Sequence, residues 1–343
     1  MVGIGEIGQA PRTRLRAGTA TAFAVMLGTL ATAVPAAAAK IVTIVVQGSP
    51  FTVAYGINAD GSITGAYGDP DNGYVRAADG TVMTFNPPGS LETYGLGINR
   101  KGSISGYWFD GSVTHGFLRT VKGDFTTFDP EGSVQTQPMR INDAGTIAGE
   151  YWDANDVAHG FVRSAHGTIT AFDPEGSTGT QSLGINAAGT VCGYYTDGSG
   201  AYHGFIRAPG GAITPFQVSG SPTLAGGINN DGTVAGSYID ANTGNNHGYV
   251  RTGDGTVTSF DVPDAVSTEP NVINGKGVIA GGYLDSRGYR HGFVRSTAGK
   301  ITSFDPPKST ETQVWDINDD GAITGWYWPG LKGKATIAFL RTP

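Results

Sequence analysis

From Lys40 to the end, apolar residues alternate with polar residues or glycine in short runs, and Gly, Asn, Asp or Pro interrupts every run. A period of two belongs to half-buried strands, not to amphipathic helices. The runs repeat. Ile-Asn recurs with its Asn at positions 58, 99, 142, 186, 229, 274 and 318, in steps of 41, 43, 44, 43, 45 and 44 residues. Around each lies one pattern: I-N-x-x-G-x-I-x-G-x-Y, then x-H-G-F-x-R, then G-x-I-T-x-F-D-P. Seven units fill residues 40–343 and leave no room for a second domain.

Each unit reads as four strands, a to d. In unit three, strand a ends at Asn142, and Asn142-Asp143-Ala144-Gly145 is a tight hairpin whose Gly supplies the positive φ. Strand b runs from Thr146 to Trp152, a loop opens at Asp153, and strand c is His159–Arg163. After a turn at Gly167, strand d runs from Thr168 to Phe172. Asp173-Pro174 stops it, because Pro cannot donate to a ladder. Four antiparallel strands at this period predict an all-β fold, a seven-bladed β-propeller. Unit seven ends after strand c, at Phe339-Leu340-Arg341. Ile41-Val42-Thr43-Ile44 aligns with strand d of unit six, Ile301-Thr302-Ser303-Phe304, so the N-terminal strand is expected to complete the last blade. A linear β-solenoid, the competing architecture, has no reason for that circular permutation.

The combination of I-N-x-x-G, H-G-F-x-R and F-D-P in successive units resembles the HAF family of extracellular repeats. The resemblance implies export and a repeat fold, and carries no catalytic residue over to this chain. Unit one departs from the pattern with Asn72-Gly73-Tyr74, and unit seven with Ile337-Ala338-Phe339.

Residues 1–39 read as an address. Arg12, Arg14 and Arg16 precede an Ala-rich apolar run ending in Pro35 and Ala36–Ala39, which is the layout of a signal peptide cleaved between Ala37 and Lys40. A retained anchor is the alternative, since ~20 apolar residues span a bilayer. Cleavage leaves no membrane span and a secreted, periplasmic or extracellular monomer. Gly3-Ile4-Gly5-Glu6-Ile7-Gly8 matches a dinucleotide fingerprint, but neither the strand before it nor the βαβ unit after it is present.

Composition narrows the chemistry. The 55 glycines are more than twice the usual ~7% share, which excludes an all-helical protein. One Cys excludes a disulfide scaffold. A net charge of −7 excludes a nucleic-acid partner, which needs concentrated Lys and Arg. No nucleophile elbow, zinc-helix motif or P-loop occurs, and no cofactor is expected.

Five histidines share one repeat position: His115, His159, His203, His247 and His291. An Asp precedes each by five to seven residues (Asp110, Asp153, Asp197, Asp240, Asp285). One His per blade spreads them on a ring too wide for one ion, so they are expected to satisfy buried loops. An Arg in every unit, from Arg76 to Arg341, reads as scaffold, and Cys192 as a small core filler.

Function is expected where the symmetry breaks. The residue before Ile-Asn is Gly in four units but Arg140 in unit three and Asp316 in unit seven, facing the central channel. Glu150 is a second outlier, on the same hairpin face as Arg140. A local Arg140–Glu150 ion pair and a polar ligand site at the channel mouth are the two readings. If the protein is an enzyme, Arg140, Glu150 and Asp316 are its candidate catalytic residues. Asp316, Asn318 and Asp320 match the opening of a calcium loop, but Tyr327 stands where a bidentate Glu is needed. Trp108, Trp152, Tyr195 and Trp328 offer rings that could stack on sugars, or pack between blades. The leading function is therefore an exported binding module for a glycan or an envelope protein. An extracellular hydrolase or lyase at the channel mouth is the alternative, and a purely structural envelope repeat is the third.

Overall fold

The Asn of each Ile-Asn ends strand a because its side chain ties the turn that follows. In unit three, Asn142 N donates to Thr146 O, Gly145 N donates back to Asn142 O, and Asn142 Oδ1 accepts from Thr146 N, all at 2.9 Å. Gly145 has φ +89°, and its six counterparts lie between +74° and +85°, a region that side chains with a Cβ enter at a cost. The Nδ2 of the same Asn reaches the neighbouring unit, donating to Asn186 O at 3.0 Å. Identical links join Asn58 to Asn99, Asn99 to Asn142, Asn186 to Asn229 and Asn274 to Asn318. Asn318 then donates to Asn58 O at 3.1 Å, joining the last unit to the first.

Two further repeated glycines make room for backbone and ring. Strand a of every unit carries a bulge, between Gln137 and Arg140 in unit three. The bulge presses a strand-a carbonyl onto the Gly of I-x-G, so a Cβ on Gly149 would collide with Gln137 O. The Gly of H-G-F lies under the strand-d Phe, where a Cβ on Gly160 would strike the Phe172 ring.

The computed structural model describes residues 39–330 and 335–343. The signal segment expected before Lys40 lies, apart from Ala39, outside the described residues. Among these residues are 28 strands and no helix, hence no helix able to cross a membrane. They form five four-stranded sheets and one eight-stranded sheet. In the larger sheet, units two and three are joined through a single parallel bridge, Gln135 to Thr114, where separate blades were expected. Within each unit the strand order is sequential and antiparallel. Strand Lys40–Ile44 pairs antiparallel with Ile337–Thr342, with Ile44 opposite Ala338. Strand Thr52–Ile57 of unit one packs on Ile323–Pro329 of unit seven.

The core lies between units. Phe128 of unit two packs with Ile141, Ile147, Tyr151 and Phe161 of unit three, and Ala148 of unit three with Val191, Tyr195 and Phe205 of unit four. Phe161 is fully buried, a burial that contributes ~1.5–3 kcal/mol. Each unit thus supplies half of two cores.

Candidate functional site

The histidines sit on strand c directly across from the Asp of F-D-P on strand d. His115, His159, His247 and His291 bond Asp129, Asp173, Asp261 and Asp305 through Nδ1 at 2.7–2.9 Å. Each is thus partnered chiefly by the Asp fourteen residues after it rather than by the Asp before it. That earlier carboxylate is a second, longer partner at 3.4–3.9 Å for His115, His159 and His291. Unit four is the exception: Gln217 replaces the F-D-P Asp, and His203 turns its Nε2 to Asp197 at 2.7 Å. The rings are also not buried, their side chains being 21–31% exposed. The strand-d Asp bridges onward. Asp129, Asp173 and Asp305 accept from Thr136, Thr180 and Thr312 of the following unit at 2.5–2.7 Å. Burial lowers the His115 pKa, but Asp129 and Asp110 together outweigh it and leave the pKa raised.

Each of these five His also lies against an aromatic ring of strand b. Trp108 packs on His115, Tyr151 on His159, Tyr195 on His203, Tyr238 on His247 and Tyr283 on His291, at 4.7–5.4 Å between centroids. Trp108 and Tyr195, candidates for sugar stacking, thus each present one face to a histidine. Trp152 and Trp328 stand one position further along strand b, and successive strand residues face opposite ways. The four aromatics are two sets, not one cluster. Trp152 is half-buried. Trp328 is 46% exposed and lies 5.8 Å from Trp326, two residues before it. Opposite this pair on strand a are Glu311 and Gln313.

The repeated Arg proves to be an inter-unit clamp of a kind not read from the sequence. Arg119, Arg163, Arg207, Arg251, Arg295 and Arg341 each lie over the strand-d Phe of the preceding unit, 4.7–5.0 Å from its centroid. Cys192 is fully buried, as expected of a core filler.

Arg140 and Glu150 make no ion pair with each other. The bulge adds a residue between Gln137 and Arg140 and increases the local twist. The Arg140 guanidinium crosses to the far side, where Nη2 donates to Trp315 O at 2.8 Å and Nη1 to Tyr55 O at 3.4 Å. Those carbonyls belong to units seven and one. Asp316, next to Trp315, accepts from Ile57 N through Oδ2 and from Ile317 N through Oδ1, both at 3.0 Å. Burial raises its pKa and Arg140 lowers it in part. Both side chains line one cavity of about 240 Å³, rimmed by the Asn ladder. Tyr55 and Trp315 meet edge to face at 5.0 Å.

Glu150 does not line that cavity. It is 5% exposed between units three and four, with Oε2 buried and unpartnered. Burial pushes its pKa to about 8, and its charge acts on Tyr194, which donates to Gln181. The structure thus brings Arg140 and Asp316 to one cavity and leaves Glu150 outside it. The calcium-like stretch also diverges. Asn318 Oδ1 caps its own hairpin, Asp320 lies in the open near Lys276, and among the described residues no three metal-ligating side chains come together.

The sequence reading missed a set of polar and aromatic side chains where Glu150 sits in its unit. Tyr94 donates to Asp71 and stacks on Tyr107 at 4.6 Å. Glu269 pairs with Arg290. Their signal was the variable x of I-x-G-x-Y and its strand-a partner, followed only at Glu150.

No protein-family model matches the chain, and no curated protein matches it by sequence. Solved structures do. Virginiamycin B lyase from Staphylococcus aureus superposes with a TM-score of 0.63 at 13% identity, over 89% of this chain and 100% of that one. A streptogramin B lyase gives 0.60 at 15%, over 89% and 98%. The β-propeller domain of the trilobed protease from Pyrococcus furiosus gives 0.60 at 9%, over 84% and 95%. Identities this low establish a shared fold, and the fold is a β-propeller.

Proposed function

We propose that the chain is an exported, monomeric propeller of seven blades, closed by its N-terminal strand, of the HAF-repeat kind, and that it binds glycan. Closure is supported by the ladder of Lys40–Ile44 on Ile337–Thr342 and by the Asn318–Asn58 link. The observation that carries the ligand reading is the pair Trp326 and Trp328, on one face of strand b with Glu311 and Gln313 alongside. Indoles offer flat apolar area to the C–H face of a sugar ring, and the carboxylate and amide at their edge can bond its hydroxyls. Fold likeness to lyases supplies no substrate. A glycan array probed with the full protein and with Trp328→Ala tests the reading. Binding that disappears in a variant of unchanged Tm is expected; equal binding by both, or none by either, removes the glycan.

The buried Glu150 favours a second reading, a hydrolase or lyase. A carboxyl that keeps its proton near neutrality is suited to general-acid chemistry. Turnover of any substrate that vanishes in Glu150→Gln would establish it.

A further inference from the structure

Five ionisable residues line the cavity at the channel mouth: Arg100 and Asp143, which are exposed and pair at 3.9 Å, the exposed Asp319, and Arg140 and Asp316, which do not pair with each other. Elsewhere the ring provides Gly56, Gly97, Gly184, Gly227 and Val272 at this level. At the glycines the neighbouring backbone leaves little room, since a Cβ on Gly97 would press on the backbone of Arg140 and Ile141. Arg140 and Asp316 therefore stand among four glycines and one valine. Each is held in place by main-chain groups: Arg140 by the carbonyls of Trp315 and Tyr55, Asp316 by the amides of Ile57 and Ile317. Each retains capacity. A guanidinium has five donors, and Arg140 has two engaged by protein. A carboxylate accepts about four bonds, and Asp316 takes two.

Opposite charges at one site usually meet, because direct pairing best offsets the loss of water. Here the backbone fixes them on separate anchors within a cavity of about 240 Å³, the size class of a small molecule. We propose that the channel mouth is a binding site for a small zwitterion, whose carboxylate meets Arg140 and whose ammonium meets Asp316; a free α-amino acid has that chemistry. A lone anion would leave Asp316 unanswered, and a lone cation would leave Arg140 so. A neutral sugar would answer neither with charge. Asp143 and Asp319 are engaged elsewhere, accepting from the neighbouring amides of Arg100 and Gly275. This site is independent of the indole pair.

Calorimetric titration of the full protein with glycine, L-alanine, acetate, methylamine and glucose tests it. The amino acids are expected to bind at least tenfold more tightly than acetate, methylamine or glucose. Arg140→Gln should abolish that binding, and Asp316→Asn should reverse the preference toward acetate. Far-ultraviolet dichroism and Tm report whether each variant keeps its fold. Where Arg140→Gln fails to fold, Arg140→Lys, which retains charge but loses the fork, should weaken amino-acid and acetate binding while methylamine changes little. Equal affinity for acetate and glycine, tighter binding of glucose, or no binding by any of the five overturns the proposal. Loss of glycan binding at Trp328 leaves this result untouched, so the two ligands fail separately.

Discussion

The seam, where strand Lys40–Ile44 completes unit seven, and unit three depart from the repeat in opposite ways. At the seam departures come in matched pairs. Ile44 takes the place of the strand-d Phe and faces Ala338, where other units place Gly beneath a phenyl ring. Arg76 of unit one, the next unit round, accordingly has no ring from the strand before it. In unit one, Asn72 and Asn86 replace the His–Asp pair and bond each other at 2.6 Å. In unit four the loss of the strand-d Asp is answered by Asp197. Unit three carries Glu150, whose buried Oε2 has no partner. Compensated exceptions keep the scaffold working around a changed part. An uncompensated one costs stability, which points to a use outside the scaffold.

The largest expected effect breaks the seam. A chain beginning at Gly48 lacks the ladder to Ile337–Thr342 and the buried Ile44 and Val46, and leaves an open edge strand prone to pairing with other chains. It should be insoluble or melt far below the chain that begins at Lys40. Equal Tm values would contradict the closure.

The next sharpens the contrast at Glu150. Burial raises its folded pKa to about 8 from 4.5, so the folded state keeps a proton that the unfolded chain releases. Stability from this group is complete below pH 4.5 and falls as pH rises to 8, by about 1.4 kcal/mol per unit at most. Glu150→Gln should remove that slope. In urea melts it should match the parent near pH 4.5 and exceed it by several kcal/mol at pH 8. A parent no less stable than the variant at pH 8 would mean that Glu150 is answered after all.

A smaller effect tests whether seam residues are matched. Gly292→Ala should cost ~1–3 kcal/mol by overpacking against Phe304. Combining it with Phe304→Ile, which copies the seam, should recover part of that loss. Additive losses in urea titrations would show that Ala338 and Ile44 are unrelated choices.

The architecture was legible because it is periodic: seven copies of Ile-Asn and a displaced strand d leave little freedom. What needed coordinates was everything set by register or by the next unit. His115 faces Asp129 because strand c runs antiparallel to strand d, a pairing available from the H-G-F and F-D-P motifs yet overlooked for the nearer Asp110. The seating of Arg163 on Phe128 joins residues of different units, which no single repeat displays. Arg140 and Glu150 were read on one hairpin face, but a bulge is silent in the sequence and the guanidinium left that face for the channel. Trp108 and Trp328 looked alike until strand parity separated them. The outliers Arg140 and Asp316, by contrast, were visible as breaks in a glycine position, and the structure brings both to one cavity.

The central proposal is that the repeated residues hold the scaffold and the exposed indoles of unit seven bind the ligand. Parallel Tm and glycan-array measurements on His159→Ala and Trp328→Ala test it most directly. His159 bonds Asp173 and stacks on Tyr151, so its loss should cost ~1–3 kcal/mol and leave glycan binding unchanged. Trp328, exposed on its strand, should lose glycan binding at unchanged Tm. The reverse pattern, with His159→Ala stable but unable to bind and Trp328→Ala unstable but binding, would contradict the claim.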